Sequence, residues 1–137
     1  MNKHTYLRAY MAGIMVPTLF LLVVMTVFCF VRYAYNLPVP IERVIVFPMA
    51  VVPNLWGVWN VLFMALRSRY NIPIGAHGAV LPLLLAPAGF LVTRILDFPI
   101  PHSVFGVFPI AFPIGLVVYY LAWKYLVGQL NGVLGLA

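Results

Sequence analysis

The segment LPVPIERVIVFPMA at 37–50 returns 61 residues later as FPIPHSVFGVFPIA at 98–111. Six of the fourteen aligned positions are identical: Pro38/Pro99, Pro40/Pro101, Val46/Val107, Phe47/Phe108, Pro48/Pro109 and Ala50/Ala111. Each copy lies where one long apolar run ends and the next begins, so the chain reads as one helical hairpin written twice. The match weakens away from this core. Pro53 meets Pro113 only after a one-residue gap, and Arg32 meets Arg94 after another. Gly13-x-x-x-Pro17 aligns with Gly78-x-x-x-Pro82 at an offset four residues longer, about one helical turn. The second helices of the two copies are therefore closely related, and the first helices more distantly.

The apolar runs are long enough to cross a bilayer, which takes about 20 residues as a helix. Four can be read, at roughly 10–32, 43–66, 77–96 and 104–126. Only 7% of the residues are charged, against about 25% in soluble domains, and the mean hydropathy is +1.08. The expected fold is an all-α integral membrane protein with a single transmembrane domain over 1–137. Hairpin repeat 1 covers about 9–66 and hairpin repeat 2 about 75–127. Two spans per unit bring both copies into the membrane from the same side, as parallel repeats related by an axis along the membrane normal. A pseudo-twofold four-helix bundle follows. The prolines of the two P-x-P motifs fix φ and bias their predecessors away from helix, making a stiff outer turn. Too little chain remains for a soluble nucleotide-binding or catalytic domain.

The net charge of +6 comes from eight basic residues scattered along the chain. They form no cluster of the kind a phosphate backbone requires, so nucleic acid is not an expected partner. Lys3, Arg8, Arg67, Arg69 and Lys124 fall on the side of the termini. Arg32, Arg43 and Arg94 fall on the other side, together with the only acids, Glu42 and Asp97. Basic residues accumulate in cytoplasmic loops, which places both termini in the cytoplasm of a plasma or inner membrane. The first run is about twice the length of a signal-peptide core, contains Pro17 and lacks a small-x-small cleavage site, so it is read as a retained span. Cys29 is the only cysteine and has no internal disulfide partner.

Tyr6, Tyr10, Tyr33, Tyr35, Tyr70, Trp123 and Tyr125 fall near span ends, where amphipathic rings favour the interface. Ala9/Gly13, Ala111/Gly115 and Gly128/Gly132 are small-x-x-x-small pairs that permit close helix approach. Seven prolines lie inside spans: Pro17, Pro48, Pro53, Pro82, Pro87, Pro109 and Pro113. Each leaves the carbonyl four residues earlier without its donor, which for Pro53 and Pro113 means Met49 and Pro109. Asn54, beside Pro53 near the middle of the second span, is expected to be the most buried polar side chain. The candidate midplane polar site is Pro53, Asn54, Trp56, Asn60 and Pro113, with helix-to-helix hydrogen bonding favoured over ligand contact.

Arg32, Glu42, Arg43, Arg94, Asp97 and His102 form an outer-face charged cluster. Anchoring at the interface is its simplest role, with Glu42 paired to Arg32 or Arg43 and Arg94 to Asp97. No carboxylate lies within a span, which argues against a proton- or cation-coupled carrier. His77 and His102 fall on opposite sides, and His4 and His77 lack metal-site spacing; haem or pigment ligation by His77 or His102 is disfavoured, and no cofactor or metal is expected. Neither a catalytic triad nor a phosphate loop is present, so no catalytic residue is assigned. The expected function is that of a non-enzymatic small or accessory subunit, set in the lipid bilayer against other membrane subunits or copies of itself. The alternative is a small transporter or pore for an apolar or neutral solute, with its site between the second and fourth helices. An enzyme acting on lipid through Glu42, His102 and Asp97 is a weaker third reading.

Overall fold

The computed structural model describes residues 3–136. These residues are all-helical, with no strand among them. Four helices are long and apolar enough to span a membrane: α1 (Thr5–Tyr35), α2 (Ile41–Leu66), α3 (Ile74–Ile95) and α4 (His102–Val133). The fourth helix outruns the span read from sequence, because the apolar run stops near 126 while the backbone stays helical to Val133.

The two proline-rich turns share one construction. Asn36 and Asp97 both adopt the left-handed conformation, with φ of 50° and 51°, a region that Asn and Asp tolerate better than other side chains. The amide of Leu37 then donates to the Arg32 carbonyl at 3.1 Å, and that of Phe98 to Thr93 at 2.8 Å. These are the six-to-one bonds that close a helix C-terminus. Pro40 and Pro101 restart the chain, with φ/ψ of −63°/121° and −59°/139°. Their carbonyls accept from Arg43 and Val104, at 3.3 and 3.0 Å.

Beyond the turns the copies part. Phe47 is extended (φ −138°, ψ 121°) and breaks α2, whereas Phe108 lies within unbroken helix. Proline disfavours helix at the residue before it, so the break follows the local rule and the continuous copy overrides it. The Phe47 ring lies against α3, where a Cβ on Gly89 would come within 3.0 Å of its Cζ. The Phe108 ring instead stacks on Phe112 in its own helix, centroids 5.1 Å apart.

α1 packs along α2, and α3 along α4. Gly13 sets the first approach, since a Cβ there would lie 2.5 Å from the Trp56 carbonyl oxygen and 2.8 Å from the Gly57 α-carbon. Backbone atoms cannot yield, so only glycine fits. At Gly78 the obstacle is the Trp123 side chain, which occupies the space a Cβ would need. Ala9/Gly13 is thus a true small-residue contact, whereas among the described residues nothing beyond its own turn of helix lies within 4 Å of a Cβ built on Gly115. The core is Trp56, Leu81, Leu85, Trp123 and Val127, with a second cluster of Ala9, Met64 and Leu136 near the termini.

Candidate functional site

The packing between the α1–α2 and α3–α4 pairs gathers at the end that carries both termini. Its centre is a reciprocal amide pair. Asn60 Nδ2 donates to Asn131 Oδ1 at 2.8 Å and Asn131 Nδ2 donates back to Asn60 Oδ1 at 3.1 Å. Asn60 also donates to the Ala9 carbonyl at 2.7 Å, which joins α1, α2 and α4 at one point. Both side chains are buried, at 0% and 3% exposure. Within that site every polar atom has a protein partner, so it is a structural lock rather than a ligand site.

Arginines reinforce the same end. Arg8 Nη1 donates to the Leu134 carbonyl at 3.5 Å, and Arg67 donates to the Leu136 carbonyl. Positive charge at the C-terminus of α4 meets the negative end of the helix dipole and its unsatisfied carbonyls. Next to the lock, Trp59 Nε1 donates to the His77 carbonyl at 2.8 Å, and His77 Nε2 lies 3.0 Å from the Trp59 carbonyl. That carbonyl accepts, so Nε2 carries the proton. The imidazole stacks on Trp59 with centroids 4.8 Å apart and touches Phe63 and Trp123 edges. Its Nε2 is committed to this bond. Among the described residues, no three His, Cys, Asp or Glu side chains are grouped as metal ligands.

The residues expected at a midplane site do not converge. Asn54 is exposed, and its amide donates to the Ala50 carbonyl of its own helix at 2.7 Å. Its oxygen accepts from the Tyr10 hydroxyl at 2.5 Å. It is therefore not the most buried polar group; Asn60 is. Pro53 and Trp56 are buried, but Pro113 is exposed on α4. Trp123, expected at the interface, is fully buried against Gly78, and its Nε1 has no hydrogen-bond partner among the described residues. Asn131 was missed because it lies past the end of the fourth apolar run. The signal available was an amide on the helical extension of that run.

The outer cluster also resolves differently from the expected ion pairs. Arg32 Nε donates to the Val39 carbonyl at 2.7 Å, so it clasps its own turn. Arg43 Nη1 donates to the Asp97 backbone carbonyl at 3.2 Å, with its guanidinium 5.8 Å from the Phe98 centroid. Arg94 lies over Phe90 at 5.0 Å. Glu42 and His102 are exposed in the first turns of their helices. The arginines serve carbonyls and rings, and Arg43 together with Phe47 links the far end of α2 to α3 and the second turn.

α4 lacks an equivalent link. From His102 to Leu121 it packs on α3 alone, apart from Tyr119, whose ring meets Trp56 at 5.0 Å, and none of these twenty residues is buried. Gly106, Ile110, Ile114, Val117 and Leu121 recur at three- and four-residue spacing along one exposed stripe. Between α4 and the α1–α2 pair a cavity of about 440 Å³ opens above Trp56 and Tyr119. At the terminal end α4 is tied to α1 and α2, and at the far end it stands away from them while α2 stays linked to α3. No family model matches this chain, and no curated protein or solved structure matches it either.

Proposed function

We propose that this chain is a non-enzymatic four-helix membrane protein, built from two tandem parallel-related hairpins, that serves as a small or accessory subunit. Both termini lie in the cytoplasm, and the far half of α4 docks against a partner subunit or a second copy. The equivalent turns at Asn36–Pro40 and Asp97–Pro101 support the duplicated arrangement. One observation carries the docking reading: none of twenty consecutive residues of α4 is buried within the chain, although the same helix is densely packed below them. Their exposed stripe has the three- and four-residue spacing of a helix–helix seam, and Gly106 in it would let a neighbouring backbone approach.

The reading is tested by native mass measurement of the protein extracted gently with its own lipids, with every accompanying chain identified. Foreign chains in fixed ratio, or a homo-oligomer, are expected. Gly106→Leu combined with Val117→Trp should dissociate that assembly and leave the thermal stability of the free chain unchanged, because, among the described residues beyond its own turn of helix, none lies within 4 Å of a Gly106 Cβ. A monomer with no companion chain would overturn the proposal. A carrier with its site at Pro53, Asn54 and Pro113 has less support, since Asn54 is engaged by Ala50 and Tyr10 and Pro113 is exposed.

A further inference from the structure

The cavity between α1, α2 and α4 has the make-up of a ligand site. Its volume of about 440 Å³ lies within the range of small-molecule pockets. A partner helix, about 10–12 Å across, would fill that volume with roughly one turn, too little to hold it. The walls are apolar and include Pro17 and Phe20 from α1, Val52 and Trp56 from α2, and Tyr119 and Ala122 from α4. No acid or base lines it, so a charged guest would enter without a counter-ion.

One polar group faces this space with an uncommitted proton. Trp56 Nε1 donates to the Tyr119 hydroxyl oxygen at 3.4 Å, which uses the oxygen as an acceptor. Among the described residues nothing accepts the hydroxyl proton in return. In an apolar setting an unused donor is costly, and a guest oxygen would satisfy it. The way in is also visible. Ala111, Gly115 and Tyr119 follow one another at four-residue spacing on one face of α4. Space is open beyond Gly115, which leaves small residues along this face between the far end and Tyr119.

We propose that this cavity binds a neutral, elongated apolar molecule bearing one hydrogen-bond-accepting oxygen, which enters along Ala111 and Gly115 and is held by the Tyr119 hydroxyl. The site lies on a different face of α4 from the Gly106–Leu121 stripe and does not depend on assembly. The ketone and ester oxygens of membrane lipids and of smaller apolar metabolites share this chemistry.

The test uses the full chain in phosphatidylcholine nanodiscs and reads tryptophan fluorescence, since Trp56 forms a wall. Two probes are titrated: a medium-chain methyl ketone brominated at its far end, and the matching bromoalkane. Both should quench saturably, the ketone binding roughly fivefold tighter. Tyr119→Phe should reduce the ketone's affinity to that of the alkane and leave the alkane's unchanged. Ala122→Phe and, separately, the more exposed Val118→Phe should abolish saturation for both probes, with unchanged melting showing that each variant is folded. Quenching by diacyl lipid brominated on its chains, in competition with the ketone, assigns the natural guest to bilayer lipid; failure to compete assigns it to a smaller molecule. Quenching that rises linearly in the wild type, or ketone affinity unaltered by Tyr119→Phe, would overturn the proposal.

Discussion

The two proline-rich turns are built alike, and the helices that leave them are not. In both, an Asn or Asp in the left-handed region closes one helix and a proline opens the next, with the same hydrogen bonds 61 residues apart in sequence. Past that point the same Val-Phe-Pro triplet gives a break at Phe47 and a continuous helix at Phe108. Local sequence is enough to specify a turn, where hydrogen bonds are short-range. Whether a helix tolerates proline is decided by what it touches. Phe47 reaches Gly89 on α3, and with Arg43 ties the far end of α2 across to the second turn. Phe108 stacks on Phe112 in its own helix, and that helix packs on α3 but not on α1 or α2 along this stretch.

The largest effect is expected where the two halves are locked. Asn60→Leu strips the partners from a buried Asn131 amide and the side-chain donor from the Ala9 carbonyl, which should cost about 2–4 kcal/mol. Asn54→Leu should cost under about 1 kcal/mol, because its groups lie at the surface. Thermal unfolding in detergent would separate the two, and equal losses would contradict the assignment of the lock. Next comes the comparison of the phenylalanines. Phe47→Ala should destabilise by about 1–3 kcal/mol through lost packing on α3, and Phe108→Ala by less than about 0.5 kcal/mol. The same melting assay checks this pair.

The turns should respond alike where the helices differ. Asn36→Val and Asp97→Val each place a β-branched residue at positive φ, and each should cost about 1–2 kcal/mol, while the corresponding glycine substitutions should be nearly silent. Unequal costs would mean that the turns are similar in outline only. The smallest effect belongs to Arg43→Gln, which removes a hydrogen bond to the Asp97 carbonyl and a ring contact, worth about 1 kcal/mol or less at an exposed site. Its signature is faster hydrogen exchange at 41–47 with little change in melting.

Much of this was legible from residue patterns, and the limits have a physical cause. Helix number, the turn positions and the Ala9/Gly13 approach follow from apolar run length, proline geometry and side-chain size. Burial does not. In a run that is apolar on every side, periodicity cannot separate a face turned to lipid from one turned to protein. Asn54 therefore looked deeper than Asn60, and Trp123 looked like an interface residue although it fills the space left by Gly78. Asn131 escaped notice because helix continues beyond the point where hydrophobicity stops. The exposed half of α4 has the same origin, since its sequence is as apolar as that of its packed counterparts.

The central claim is that α1 and α4 are tied at the terminal end and stand apart at the far end until a partner docks. Spin-label distances on the isolated chain in nanodiscs, with Cys29 replaced by Ala, test it directly. One label pair, at Leu7 and Val133, reports the terminal end, and another, at Val24 and Ile110, reports the far end; all four sites are exposed. A narrow distribution for the first pair and a broad one for the second, narrowing when the native assembly is restored, is the predicted result. Equally narrow distributions at both ends of the free chain would contradict it.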